Sequence, residues 1–135
     1  MQVVPFEIKH LPELNSWVAQ WNEKNKNFVP VPASFYPETG GFIVEGHCAA
    51  FIYLTNTAMA FYENIIVNPN STYEERTESI KLVDQAIAEF AAKNNVKLMI
   101  GRSANDSLLQ RGIDNGWSVS NKKYNMMYKN IGDKI

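Results

Sequence analysis

Apolar residues Leu11, Leu14, Trp17, Val18 and Trp21 recur at spacings of three and four, the stripe of an amphipathic helix. Such a stripe ordinarily packs into a core; a ligand-facing tryptophan is the alternative. Before it, residues 2–8 (QVVPFEI) predict a short first strand, which Pro5 makes irregular or confines to an edge. After it come three further runs, at 41–46 (GFIVEG), 49–55 (AAFIYLT) and 58–67 (AMAFYENIIV). Rich in aromatic and β-branched residues and separated by short turns, they predict an antiparallel meander. The period changes at Ser71. Ile80, Val83, Ile87, Phe90 and Ala91 share one face of a long helix that Asn94 and Asn95 end. Residues 96–101 (VKLMIG) predict a strand. Residues 105–117 predict a short helix with Asn105 or Asp106 as N-cap and Gly116 at its end. Residues 118–131 supply one or two terminal strands.

The order is therefore β-α-β-β-β-α-β-α-β. A strand, helix and strand in succession over 58–101 imply a right-handed parallel crossover. The fold class is α/β, with a mixed, mostly antiparallel sheet and one central parallel pair. Residues 25–41 hold Pro30, Pro32, Pro37, Gly40 and Gly41, a loop and not a linker, because the segments C-terminal to it cannot stand alone. Residues 1–135 read as a single domain.

Composition narrows the function classes. The chain has 135 residues, enough for one domain with a real core. A net charge of −1 argues against nucleic acid as a partner, with only Lys122, Lys123 and Lys129 near aromatics to set against it. Cys48 is the only cysteine, so no intrachain disulfide forms, which fits the cytoplasm. The start, MQVVPFEIKH, carries no basic-then-apolar signal, and no apolar run reaches the roughly 18 residues of a membrane helix. His10, His47 and one cysteine make no recognisable metal cluster.

The junction NPNSTYEERTESIKLV, residues 68–83, carries the question of chemistry. A strand enters it and a helix leaves it, yet no glycine lies between Gly46 and Gly101. Ser71 with Glu74, and Thr72 with Glu75, both fit the capping-box pattern. A P-loop is excluded, since GxxxxGK[ST] is absent.

Element order and spacing resemble the GNAT superfamily of acyl-CoA-dependent N-acyltransferases over nearly the whole chain. IIVNP (65–69) is similar to the end of the family's fourth strand, usually V-x-P. Asn105 after the fifth strand is similar to the family's asparagine there, and IDNGW (113–117) to its L-G-F ending. The Pro-rich segment and degenerate junction also resemble small phage-borne members.

The resemblance implies acetyl-CoA as co-substrate and an amine acceptor, small molecule or protein, in a monomer or homodimer. It implies that the cofactor's pantetheine arm pairs with the fourth strand near Ile66 and Val67. It further implies that the pyrophosphate sits at the next helix start, where orphan N–H groups and the dipole attract anions. The family's [R/Q]-x-x-G-x-G/A places Arg76 first with Ser79 and Lys81 on the small-residue slots, or, shifted by two, Thr77 and Ser79. No slot holds glycine. Ser and Thr hydroxyls donate to phosphate, while Glu74 and Glu75 would repel it and Arg76 or Lys81 would offset that. Asn105 is a helix cap that in the family also meets the cofactor's arm.

Glu63, four residues before Val67, is placed like the family's general base; its alternative is a strand residue facing solvent. The tyrosine expected as acid falls on Gly112, so Tyr124 or Tyr128 on the last strand is the candidate substitute; the alternative for both is packing, the ordinary role of aromatics in strands. Tyr62 alternates with Glu63 and faces the other side of the sheet. Cys48 reads as a small buried apolar residue and His47 as a surface residue. The expected function is an acetyl-CoA-dependent N-acetyltransferase. The alternative is an inactive protein of the same fold that binds another protein through FVPVPASFYP (28–37), which otherwise serves as a lid or as packing.

Overall fold

The computed structural model describes residues 1–24, 32–103, 105–121, 125, 127, 129, 131 and 132. They form two compact units, Met1–Arg102 and Ser103–Ile135.

The first unit is built on strands β1 (Val3–Pro5), β2 (Gly41–Val44), β3 (Cys48–Leu54), β4 (Met59–Val67) and β5 (Leu98–Gly101). They lie in the order β1-β2-β3-β4-β5. The first four pair antiparallel, and β4 pairs parallel with β5, as the strand–helix–strand succession requires. β1 is shorter than the expected run and ends at Pro5 on the sheet edge. Beyond it the chain turns into a 3-10 turn, Ile8–His10, because His10 Nδ1 accepts the Glu7 N–H at 3.0 Å. That turn leads into α1 (Leu11–Lys24).

α1 covers one face of the sheet. Leu14, Trp17 and Val18 pack with Ile43, Ala49, Phe51 and Ile66. Tyr36 stacks on Phe51 with ring centroids 4.6 Å apart, so this part of the Pro-rich segment serves packing. α2 (Tyr73–Lys93) packs against β1, β2 and β3. Side chains alternate along a strand, so Phe42, which meets Phe90 of α2, points away from Ile43 and α1. Ile80, Val83, Ile87 and Ala91 are the buried stripe of α2. Each such isoleucine or valine withdrawn from water contributes about 1.5–3 kcal/mol, against roughly 0–1 for an exposed ion pair. The two faces, not the surface charges, therefore hold the sheet. α2 ends where Asn95 turns left-handed (φ 60°) and Val96 N–H reaches Ala91 O at 3.0 Å.

Gly41 is a site of close approach. A Cβ there would stand 2.7 Å from the Phe51 ring, so the β2–β3 pair requires glycine.

The second unit holds α3 (Asp106–Asp114). Asn105 Oδ1 accepts the Leu108 N–H at 2.9 Å, which makes Asn105, not Asp106, the N-cap. At the other end Gly116 (φ 96°) donates to Ile113 O and Trp117 N–H to Gly112 O, the double bond pattern that satisfies a helix's last carbonyls. Residues 118–121 carry no strand. The basic pair Lys122 and Lys123, with Tyr124 and Tyr128 of the expected terminal strands, lies outside the described residues.

Candidate functional site

β4 changes character halfway along. Its pairing with β5 runs from Met59–Leu98 to Tyr62–Gly101 and stops. Its pairing with β3 continues to Val67–Cys48, but the register slips between Ala49 and Phe51. Ala49 faces Ile66 while Phe51 faces Glu63, so β4 holds one extra residue in between. Asn64 takes up the irregularity with φ 58°, a backbone that asparagine tolerates better than its β-branched neighbours. Its Nδ2 donates to the Tyr53 hydroxyl at 2.6 Å, which fixes the bulge to β3. One consequence is a change of parity. Before the bulge Tyr62 points to α2; after it Ile66 points to α1.

Tyr62 is thereby buried, and desolvation, reinforced by the Asp84 carboxylate of α2, pushes its hydroxyl well above the ordinary tyrosine value. Glu63 points to the opposite face, as alternation requires. It does not stand alone in solvent. Arg102, just past β5, donates from Nε to Glu63 Oε1 at 3.0 Å, and its NH2 lies 3.0 Å from the same oxygen. Both contacts go to Oε1, so among the described residues Oε2 of the half-buried side chain is left for a further donor.

The ladder also shows which backbone groups of β4 face outward. Asn68 N–H bonds to His47 O at 2.8 Å, so the 47–68 and 49–66 positions are the bonded pairs of the antiparallel ladder. Ile66 spends its peptide groups on β3, and its side chain is core. Val67 sits at the alternate position, with N–H and C=O directed away from β3. Its carbonyl accepts Trp21 Nε1–H from α1 at 2.7 Å.

The glycine-free junction is organised by side chains. Asn68 Nδ2 donates to Gly46 O and its Oδ1 accepts the Asn70 N–H, both at 2.9 Å. Of the two capping boxes, Thr72 with Glu75 forms. Glu75 N–H donates to Thr72 Oγ1 at 3.2 Å, and Thr72 N–H to Glu75 Oε1 at 2.8 Å. Ser71 instead meets His47 Nδ1 at 3.2 Å. The Thr72 backbone N–H holds the Glu75 carboxyl below its ordinary value, with smaller help from the Thr72 hydroxyl and His47. An anion arriving at this helix start must displace a carboxylate already there.

Helix onset at Tyr73 changes what the expected phosphate residues can do. Arg76 is in the first turns, its NH2 donating to Pro69 O at 2.9 Å and its guanidinium 5.7 Å from the centre of the Trp21 ring. Thr77 and Lys81 are exposed further along the helix. Ser79 is fully buried, with Oγ donating to Arg76 O at 3.2 Å. The structure thus brings Glu63, Val67 and Arg76 onto β4 and its junction and sends Ser79 inward. Asn105 belongs to the second unit, where it caps α3, and Tyr124 lies outside the described residues. Among the described residues no group of His, Cys, Asp and Glu is arranged for a metal ion. No helix among them is long and apolar enough to cross a membrane.

Sequence reasoning missed Arg102 and Asn64. Asn64 left a trace, an asparagine inside a run of aromatic and β-branched residues, the composition of an interrupted strand. Arg102 left none, since its pairing depends on where β5 stops.

No protein-family model and no curated protein matches this sequence. Solved structures do match over almost the whole chain. A mutant of TTHA1254 from Thermus thermophilus superposes with a TM-score of 0.69 at 16% identity, covering 99% of this chain and 100% of that one. An aminoglycoside N-acetyltransferase, AAC(6')-Iy in complex with CoA, gives 0.56 at 13% identity, covering 95% and 99%. An aminoglycoside acetyltransferase from an uncultured soil metagenomic sample, in complex with sisomicin, gives 0.57 at 10% identity, covering 95% of each chain. At these identities the likeness is one of architecture: the chain has the fold of the GNAT acetyltransferases.

Proposed function

We propose that the protein is an acyl-CoA-dependent N-acyltransferase that moves an acetyl group from acetyl-CoA to an amine, acting as one domain in the cytoplasm. The observation that carries the reading is the end of β4. The strand loses its β5 partner after Tyr62, turns outward backbone groups at Val67 to the vacated edge, and runs directly into the start of α2. An open strand edge is a template for an extended, amide-bearing ligand. The pantetheine arm is such a ligand, and the helix start with Arg76 is where its diphosphate would lie. The names of similar structures, acetyltransferases of amines and one with CoA bound, support the same assignment.

The chemistry asks little of the protein. The amine nitrogen attacks the thioester carbon, the C–S bond breaks, and the thiolate leaves and takes a proton. Holding the two reactants together supplies much of the rate. Glu63 is the base we assign: its Oε2 accepts the amine proton directly or through one water, while Arg102 fixes the other oxygen. Tyr124 is the acid we assign to the thiolate.

Calorimetric titration of acetyl-CoA and CoA into the wild-type protein and a Glu74→Gln/Glu75→Gln variant tests this. Micromolar binding, tighter in the variant because the competing carboxylates are gone, is the expected result. No binding to either protein at millimolar ligand overturns it and turns the search to protein partners.

A further inference from the structure

We propose that Trp21 is an internal latch on the open edge of β4, occupying the acceptor that an extended amide ligand needs, so that the ligand binds by displacing it. The inference rests on the acyl-CoA reading and concerns how that site is controlled.

Three observations carry it. The Val67 carbonyl is directed away from β3, and the indole N–H of Trp21, 46 residues distant in sequence, holds it at 2.7 Å. Trp21 packs against the core only from its margin. Trp17, one turn earlier on α1, is 3% exposed and belongs to the core, whereas Trp21 is only half-buried and reaches to the strand edge. The last turns of α1 are tied to the junction at further points. The Arg76 guanidinium lies 5.7 Å from the centre of the Trp21 ring, and Asn70 Nδ2 donates to Gln20 Oε1 at 3.1 Å.

A ligand that adds to this edge as an extra strand offers an amide N–H to the Val67 carbonyl. The indole stands in that place, so it must swing aside. Displacement exchanges one hydrogen bond for another, so the latch lowers affinity by a modest factor and does not abolish binding. Arg76 is coupled to the same movement. Its Nε is buried without a partner among the described residues, and its guanidinium lies over the ring that leaves. Opening the latch frees a donor and a positive charge beside the helix start, where the diphosphate of the same ligand arrives. The ligand class is therefore an amide-bearing arm ending in a diphosphate, and the latch responds to both parts.

The test is CoA titration into the wild type and Trp21→Phe, which keeps the ring and removes the N–H. Loss of one competing bond should lower the CoA Kd about fivefold. If the wild type binds and Trp21→Phe binds equally or more weakly, the latch is overturned and the acyl-CoA reading stands. If neither binds, both fall. A second measurement keeps the native sequence: fluorine NMR of protein labelled with 5-fluorotryptophan, its resonances assigned by single Trp→Phe exchanges. The Trp21 resonance should move in step with CoA saturation. Binding that leaves it in place overturns the latch even if Trp21→Phe fails to fold.

Discussion

The two halves of β4 are one strand with two sets of neighbours. From Met59 to Tyr62 it is paired on both edges and buries Ala60 and Tyr62. From Glu63 to Val67 it pairs, among the described residues, with β3 alone, steps through a bulge at Asn64, and presents a carboxylate and an outward carbonyl. The second half adds Glu63 and Asn64 to an otherwise apolar strand, but its edge is opened by where β5 stops. A sheet can thus divide stability from chemistry along a single strand by ending a neighbour early. The paired half has its backbone groups satisfied, and the other has groups to offer.

The sharpest way to break this comparison is to truncate the paired half. Tyr62→Ala should cost about 3–5 kcal/mol in urea unfolding, the usual loss for a buried large aromatic. A loss below about 1 kcal/mol would remove the first half from the core.

Glu63→Gln probes the open half. It should lower kcat/KM by about 10²-fold or more with acetyl-CoA affinity unchanged, followed by thioester absorbance. Stability should move by less than about 1 kcal/mol, because the ion pair it breaks has an exposed Arg102. A large stability loss with activity intact would make Glu63 a structural residue.

The bulge between the halves comes next. Asn64→Val should be about 1–2 kcal/mol less stable than Asn64→Gly, since both lose the Tyr53 bond but only valine is strained at φ 58°. Equal unfolding midpoints would mean that the bulge relaxes.

At the exit, Thr72→Ala should cost about 1 kcal/mol through the lost N-cap.

The smallest effect is pH-dependent. The folded Glu75 carboxyl titrates below its ordinary value of 4.5, so its contribution is present above that value and lost as pH falls through the lowered folded one. The melting-temperature gap between wild type and Glu75→Gln should be full near neutrality and close in acid. A gap that persists unchanged in acid would show that the cap does not act through the charge.

Much of the fold was legible because periodicity and caps are local. The meander, the long helix with its end at Asn94-Asn95, and the Asn105 cap all follow from residues within a few positions of each other. The site was less legible. Trp17 and Trp21 lie on one stripe, and nothing local separates the core residue from the edge residue. The family's phosphate motif is marked by glycines, and this chain has none between Gly46 and Gly101. The helix instead starts where Thr72 and Glu75 cap each other, which carries Ser79 into the core. The bulge at Asn64 reverses the strand's parity, so alternation counted from Tyr62 does not carry through to Val67. These are long-range or competing choices, settled by packing and not by propensity.

Cys48 lies fully buried on β3 beside Val67 and is the protein's lone sulfhydryl. In an assay of the proposed acetyl transfer, a chromogenic disulfide reagent would therefore report released coenzyme against little background from the folded protein. Its slow reaction with the protein in the absence of substrate becomes a clock for how often β3 and β4 part.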